Sequence, residues 1–197
     1  MRRRASVLVG VVVIALVLLC VHAYSTYRNA DLVQRVATRF PVTGFVDARD
    51  SDHFIISATV YLLEPGYTIR PGEEPDSSIQ HLVYSIRAEN KTSQVLQGVL
   101  MDVKLSYLVI PYITSHFPYF SSMDPVDILP GKALCNSRVT QIPNVSTCGE
   151  PERQSLMQAI TGPIQVVLRW QGGEERLLVT SDQIRLSTKA SSETGGP

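Results

Sequence analysis

The first 23 residues constrain the organisation of this 197-residue chain more than any other stretch. Three arginines at positions 2–4 precede a run from Ala5 to Ala23 whose only polar residues are Ser6 and His22. A helix needs about 20 apolar residues to cross the hydrocarbon core of a bilayer, and only a helix satisfies every backbone group of a lone span. We therefore expect a transmembrane helix in residues 1–23, in contact with the lipid bilayer through residues 5–23.

Two interpretations of this run remain open. It is either an uncleaved signal anchor or a signal peptide removed after Ala23, because Val21 and Ala23 occupy the two positions that a signal peptidase inspects. The arginines at positions 2–4 lie compactly against the N-terminal edge of the run, whereas later arginines are spread along the chain. The positive-inside rule then predicts a cytoplasmic N-terminus and an extracytoplasmic C-terminal domain. Cleavage would make the protein secreted.

The chain after the run is long enough for one domain. Residues 24–41 form a predicted juxtamembrane helix or stalk that ends at Pro41. Its apolar residues recur at helical spacing, at Leu32, Val33, Val36 and Phe40. Residues 42–188 form the predicted extracytoplasmic domain, and the small polar tail at 189–197 is expected to be disordered.

Alternation of apolar and polar residues predicts that this domain is mainly β. Leu82–Glu89 and Val99–Tyr107 alternate on either side of a polar turn, which predicts a β-hairpin or an equivalent antiparallel pair. Phe54–Leu63 and Ile164–Trp170 are further predicted strands, and the second is followed by a turn at Gly172. About seven short strands separated by turns predict an antiparallel β-sandwich with an immunoglobulin-like or fibronectin-like layout.

Three cysteines are present, and two of them fall in the predicted domain. Cys20 lies in the apolar run, whereas Cys135 and Cys148 remain as a pair. An even pair in an exported domain predicts one disulfide. Closing a loop of about 14 residues contributes roughly 3 kcal/mol in the chain-entropy model. A zinc site is not expected, because CxxC spacing and nearby histidines are both missing.

An aromatic stretch from Leu108 to Phe120 is the candidate contact surface. Pro111 and Pro118 prevent it from being one regular strand inside a sheet. The stretch either folds over the core at one end of the sandwich or presents aromatic side chains to a protein partner. The candidate partner-surface residues are Tyr112, Phe117, Tyr119 and Phe120.

The sequence carries no recognised catalytic motif, neither a GxSxG, HExxH or P-loop pattern nor a dinucleotide-binding one. His53, His81 and His116 are widely spaced, although convergence of His53 and His81 with an acid remains open. We assign no catalytic, cofactor-binding or metal-binding residue. Asn90 and Asn144 each begin an N-glycosylation acceptor triplet.

Charge argues against nucleic acid as a partner. The chain has 18 acidic and 18 basic residues, and three of the basic ones precede residue 5, which leaves the rest at −3. We predict a single-pass membrane protein whose exported sandwich is a non-enzymatic binding or interaction module. The alternatives are a structural or accessory subunit of a membrane or envelope complex, a secreted β-sandwich protein, and a secreted enzyme without a known motif.

Overall fold

Two β-sheets that share one hydrophobic core form the domain in the computed structural model, which describes residues 43–68, 72, 74–114 and 118–188. The predicted transmembrane helix (1–23), the juxtamembrane helix (24–41), the tail (189–197) and Phe117 lie outside the described residues. Among the residues that are described, no helix combines the length and the apolar character needed to cross a membrane.

Short elements make up the described chain. In chain order the strands are β1 (Val46–Asp47), β2 (Phe54–Leu62), β3 (Ile79–Asn90), β4 (Leu96–Lys104), β5 (Tyr119–Ser121), β6 (Val126–Ile128), β7 (Ala133–Pro143), β8 (Ile164–Trp170), β9 (Gly173–Val179) and β10 (Ile184–Ser187). One α-helix, α1, spans Glu150–Ile160, and 3-10 turns lie at Ala48–Asp50, Tyr107–Tyr112, Val145–Thr147 and Ser181–Gln183.

The predicted mainly β, two-sheet architecture is confirmed. The first sheet has the order β1-β9-β8-β4-β5, with β6 also on β4, and the second has the order β10-β2-β3-β7. Pairing is antiparallel except for β1 on β9 and β10 on β2. The alternating residues of β3 and β4 fill the space between the sheets, since their inward side chains are at most 1% exposed, namely Leu82, Tyr84, Ile86, Ala88, Val99, Met101 and Val103.

The predicted pairing of β3 with β4 is wrong. Strand β3 pairs with β2 and β7, whereas β4 pairs with β8, β5 and β6 in the other sheet. The polar turn after Asn90 therefore crosses from one sheet to the other. Two strands with one buried face each have the same alternating pattern whether they are neighbours in a sheet or face each other across the core. The β8–β9 hairpin, by contrast, forms as predicted, with Trp170 opposite Gly173.

The predicted disulfide is also wrong, because Cys135 and Cys148 are both free. The extended strand from Cys135 to Pro143 is about 27 Å long. The chain from Pro143 to Cys148 can reach back at most about 18 Å. The two Cα atoms therefore cannot approach within the roughly 7 Å that a disulfide requires. The Cys148 thiol instead lies 3.5 Å from the carbonyl oxygen of Asn144.

Thiol labelling tests this correction. A thiol reagent added to the folded, non-reduced protein should modify both Cys135 and Cys148, and Cys135 should react first because it is exposed and Cys148 is half-buried. Cys135→Ser should leave the reactivity of Cys148 unchanged, since the two side chains do not meet. A non-reduced digest containing joined peptides of the two cysteines would contradict the structure.

Candidate functional site

Strand β7 is an unusually long sheet edge. The other edges among the described residues are short, with β1 of two residues, β5 and β6 of three residues each, and β10 of four. Strand β7 has 11 residues and, in the part of the chain that the structure describes, pairs only with β3. Short edge strands protect a sheet against pairing with other chains. Strand β7 lacks this protection.

The register identifies which backbone groups of β7 point outward. Asn144 N–H donates to the carbonyl of Ser78 at 2.9 Å, in continuation of the β3–β7 register. Residues alternate along an antiparallel pair, so the even-numbered residues of β7 bond to β3 and the odd-numbered ones point away. Thr114 N–H accordingly reaches the outward carbonyl of Gln141 at 3.1 Å. The remaining outward N–H and C=O groups in the middle of the strand belong to Cys135, Ser137 and Val139.

A cleft of about 400 Å³ runs beside this edge, and we call it the edge cleft. Its walls are residues 134–138 of β7 and the segment that joins β5 to β6; it is lined by Phe120–Asp124, Val126 and Leu134–Arg138. Met123, on the wall opposite β7, is 96% exposed, and Val126 is also exposed. The cleft therefore combines backbone groups that have no partner among the described residues on one side with apolar side chains on the other.

Arg138 supplies the edge cleft with a positive charge that the described residues do not neutralise. Its side chain is on the inner side of β7, and its Nε atom is buried without a hydrogen-bond partner among those residues. A buried donor without a partner costs about 1–3 kcal/mol. Asp124 also lines the cleft, but its side chain is exposed and makes no ion pair with Arg138. The cleft thus contains an unsatisfied donor for an anion.

The aromatic stretch mainly covers the core. Phe120 is only 7% exposed and belongs to the hydrophobic core, so its place in the predicted partner surface is corrected. Phe120 is opposite Val103 in the β4–β5 pair, and opposite residues share one face of a sheet. Tyr112 is half-buried against the core and Tyr119 is half-buried. Among the described residues of this region, Tyr107 is the exposed aromatic one, at 63%.

The loop before β2 forms a hydrogen-bonded cluster that superficially resembles catalytic chemistry. Glu175 accepts from the Ser51 hydroxyl at 2.5 Å and contacts His53 Nδ1 at 2.5 Å. The ring of His53 packs against Trp170, with centroids 4.9 Å apart. A nucleophile must contact its general base, yet Ser51 and His53 both bond to the carboxylate and not to each other. The cluster anchors the loop to β9.

His81 does not converge with His53. Phe54 is opposite Asn90 and Leu62 is opposite Leu82, so the two histidines lie at opposite ends of the β2–β3 pair, about 30 Å apart. His81 is 5% exposed, and its Nε2 atom lies 3.2 Å from the side-chain nitrogen of Gln141. The convergence that the sequence left open is therefore not present.

Both glycosylation acceptor triplets form turns with the same hydrogen bonds to the asparagine side chain, and we call them the asparagine turns. Asn90 is fully buried, and its Oδ1 atom accepts from the N–H and hydroxyl of Thr92 at 2.9 and 2.7 Å. Asn144 is 5% exposed, and its Oδ1 accepts from the N–H and hydroxyl of Ser146 at the same two distances. Each Nδ2 group donates to a backbone carbonyl, including those of Ile128 and Ser77. The triplets therefore serve to close turns.

A chain of ion pairs crosses the first sheet from β4 to β9. Arg169 bonds to Asp102 and, through Nε, to Glu174 at 2.7 Å, and Arg176 bonds to Glu174 at 2.6 Å. Burial acts to raise the pKa of the Glu174 carboxyl, but the hydrogen bonds from Arg176 and Arg169 outweigh it and hold this pKa below its usual value. The charged form of Glu174 therefore stabilises the fold.

This lowered pKa predicts an acid dependence of stability. Because the folded pKa is below the unfolded one, the stabilisation is complete above the ordinary glutamate pKa of about 4.3 and is lost as the pH falls through the folded pKa. Urea unfolding of Glu174→Gln should show reduced stability at pH 7, and its curve should approach that of the wild type near pH 3. Exposed Glu64 is the matched control, and Glu64→Gln should behave as wild type at both pH values. A Glu174→Gln deficit that does not shrink in acid would contradict the assignment.

Comparisons with known proteins do not assign the chain to a family. No family model matches the chain, and no curated protein matches it. Among solved structures it is similar to an uncharacterised β-sandwich protein of Clostridium difficile, at 9% identity over 65% of this chain and 86% of that one, with a TM-score of 0.22. It is also similar to the ligand-binding region of serine-glutamate repeat protein A of Enterococcus faecium, at 8% identity over 68% and 98%, with a TM-score of 0.28. A putative late embryogenesis abundant protein matches at 13% identity over 80% and 82%, with a TM-score of 0.26.

Proposed function

We propose that this protein is a non-enzymatic interaction module that binds an extended segment of a protein partner along the outer edge of β7. The observation that carries the proposal is the length of this edge, 11 residues, with outward backbone groups at Cys135, Ser137 and Val139. Extended peptides commonly bind by adding a strand to such an edge, where main-chain hydrogen bonds provide affinity and side-chain pockets provide specificity.

The edge cleft supplies the second half of this binding mode. Side chains of an added strand alternate between the two faces of the sheet, so every second one points into the cleft. There they meet Val126 and the exposed Met123. Methionine is flexible and polarisable, and it adapts to differently shaped apolar partners.

The wider setting of the module is part of the same proposal. The apolar run within residues 1–23 supports a single-pass tether in the bilayer, with a cytoplasmic N-terminus and an extracytoplasmic domain. The net charge of the remaining chain gives no support for nucleic acid as a partner. An immunoglobulin-like layout is supported by the pairing of β3 with β7, the order β4-β8-β9 and the parallel pairing of β1 with β9.

Proline at position 137 tests the proposal. The Ser137 N–H points away from β3, so Ser137→Pro removes a donor that an added strand would use and keeps the β3–β7 bonds. Ten-residue peptides should be selected by phage display against the full chain, and their affinity measured by fluorescence anisotropy. Ser137→Pro should weaken binding at least about tenfold, which corresponds to losing one or two backbone hydrogen bonds.

The matched control is Ser137→Ala, which removes the same hydroxyl group but keeps the N–H. This variant should bind the selected peptides as the wild type does, although it loses the 3.2 Å contact with the Ser85 hydroxyl. Peptides that bind Ser137→Pro as tightly as the wild type would place their site elsewhere and refute strand addition at β7. Failure to select any peptide would do so as well.

A further inference from the structure

We infer that the strand added to β7 carries an acidic side chain opposite Arg138. This inference rests on the proposed strand addition and assigns a chemical class to the bound segment. The supporting observations are the inward direction of Arg138 and the buried Nε atom that finds no hydrogen-bond partner among the described residues. A carboxylate supplies both the charge and the acceptor that this guanidinium group lacks.

The β3–β7 register determines which position of the added strand carries that carboxylate. Cys135, Ser137 and Val139 direct their backbone groups outward, so an antiparallel added strand exchanges its hydrogen bonds with those residues. The residue opposite Arg138 then occupies a non-hydrogen-bonded pair, with Cα atoms about 4.5 Å apart. Opposite residues share a face of the sheet, so this side chain points into the edge cleft beside the guanidinium group.

The chemistry of arginine favours a carboxylate at this position. Guanidinium and carboxylate groups form paired, charge-assisted hydrogen bonds that are roughly twice as strong as neutral ones. A glutamine has the same shape but lacks the charge, and a lysine adds a second positive charge to the cleft. Asp124 does not substitute for the ligand, because its carboxylate is exposed and not bonded to Arg138.

The neighbouring positions of the added strand meet a different surface. Two residues away in either direction, the inward side chain stands opposite Asn136 or Thr140 of β7, both of which are uncharged. Asn136 is half-buried and makes a long bond of 3.4 Å to the Met101 carbonyl, and Thr140 is buried. The expected segment therefore has one acidic residue between two uncharged inward residues.

Three matched peptides test this inference on the full chain. Each is an end-blocked nonapeptide, Lys-Thr-Val-Thr-Xaa-Thr-Val-Thr-Lys with a fluorescent label, in which Xaa is glutamate, glutamine or lysine. Anisotropy titrations should show the glutamate peptide binding about tenfold more tightly than the glutamine peptide. The lysine peptide should bind most weakly. Arg138→Gln should abolish the preference for glutamate and leave the affinity for the glutamine peptide within about twofold of the wild-type value.

The outcomes separate the inference from the proposed function. Equal affinity of wild type for the glutamate and glutamine peptides overturns recognition of an acid and leaves strand addition intact. Binding of none of the three peptides overturns strand addition itself. A glutamate preference that survives in Arg138→Gln places the acid elsewhere and also overturns the inference.

Discussion

Replacing Tyr84 with alanine should lower the free energy of unfolding by about 3–5 kcal/mol, the usual cost of removing a large aromatic side chain from a packed core. Tyr84 is 1% exposed at the centre of β3. Its hydroxyl donates to the carbonyl of Ile160 at 3.0 Å, which joins the second sheet to the end of α1. Burial also raises the pKa of this hydroxyl, so it remains a donor at ordinary pH.

Urea unfolding of Tyr84→Phe provides the control. The phenylalanine keeps the ring and removes only the hydroxyl, so the expected loss is about 1–1.5 kcal/mol, the net value of one buried hydrogen bond. The difference between the two variants then measures the packing of the ring. Equal losses in Tyr84→Phe and Tyr84→Ala would show that the bond to Ile160 dominates and that the ring contributes little.

Asn90→Ala should have the second large effect, a loss of about 2–4 kcal/mol in the free energy of unfolding. The alanine removes the Asn90 donor from the carbonyl of Ile128 and leaves the carbonyl of Gln94 with the Thr92 hydroxyl at 3.1 Å. It also leaves the N–H of Thr92 without the Asn90 acceptor. Each buried polar group that loses its partner costs about 1–3 kcal/mol. The effect is large because this one side chain ties the end of β3 to β6 in the other sheet.

Asn136→Ala is the matched control for Asn90→Ala. Asn136 is half-buried and makes one long side-chain bond within the described part of the chain, so we expect a loss below about 1 kcal/mol. Both variants are measured by urea unfolding at pH 7. Similar losses in the two variants would mean that the cost comes from shortening an asparagine and not from the network around Asn90.

Local patterns in the sequence predicted strands β2, β3, β4 and β8 and one hairpin, but not the partners of β3 and β4. Ile164–Trp170 and the turn after it gave the β8–β9 hairpin, because a hairpin is determined by neighbouring residues. The pairing of β3 depends on β7, which begins more than 40 residues after β3 ends. The disulfide prediction failed because two cysteines that are close in sequence are held far apart in space when an extended strand lies between them.

The edge cleft could not be predicted from the sequence for a related reason. Whether β7 is an edge strand or a central one depends on the sheet order, which local sequence patterns do not reveal. Arginine is a residue type typical of solvent-exposed positions, so the sequence alone would place the Arg138 side chain on the surface. Arg138 precedes the buried residues Thr140 and Ile142 by two and four positions, so its side chain lies on the same inner face of β7. Which face is the inner one is known only from the burial of residues along β7.

The asparagine turn at Asn90 makes sugar attachment and folding mutually exclusive. A glycan is transferred to the amide nitrogen of asparagine, and at Asn90 that nitrogen donates to the carbonyls of both Ile128 and Gln94. Once the domain has folded, this buried nitrogen cannot reach a transferase. An enzyme that acts on the nascent chain would place a bulky group where the core or a turn must close. In a host that glycosylates exported proteins, chains that carry sugar at Asn90 would therefore be chains that fail to fold, and the folded molecules would be bare there.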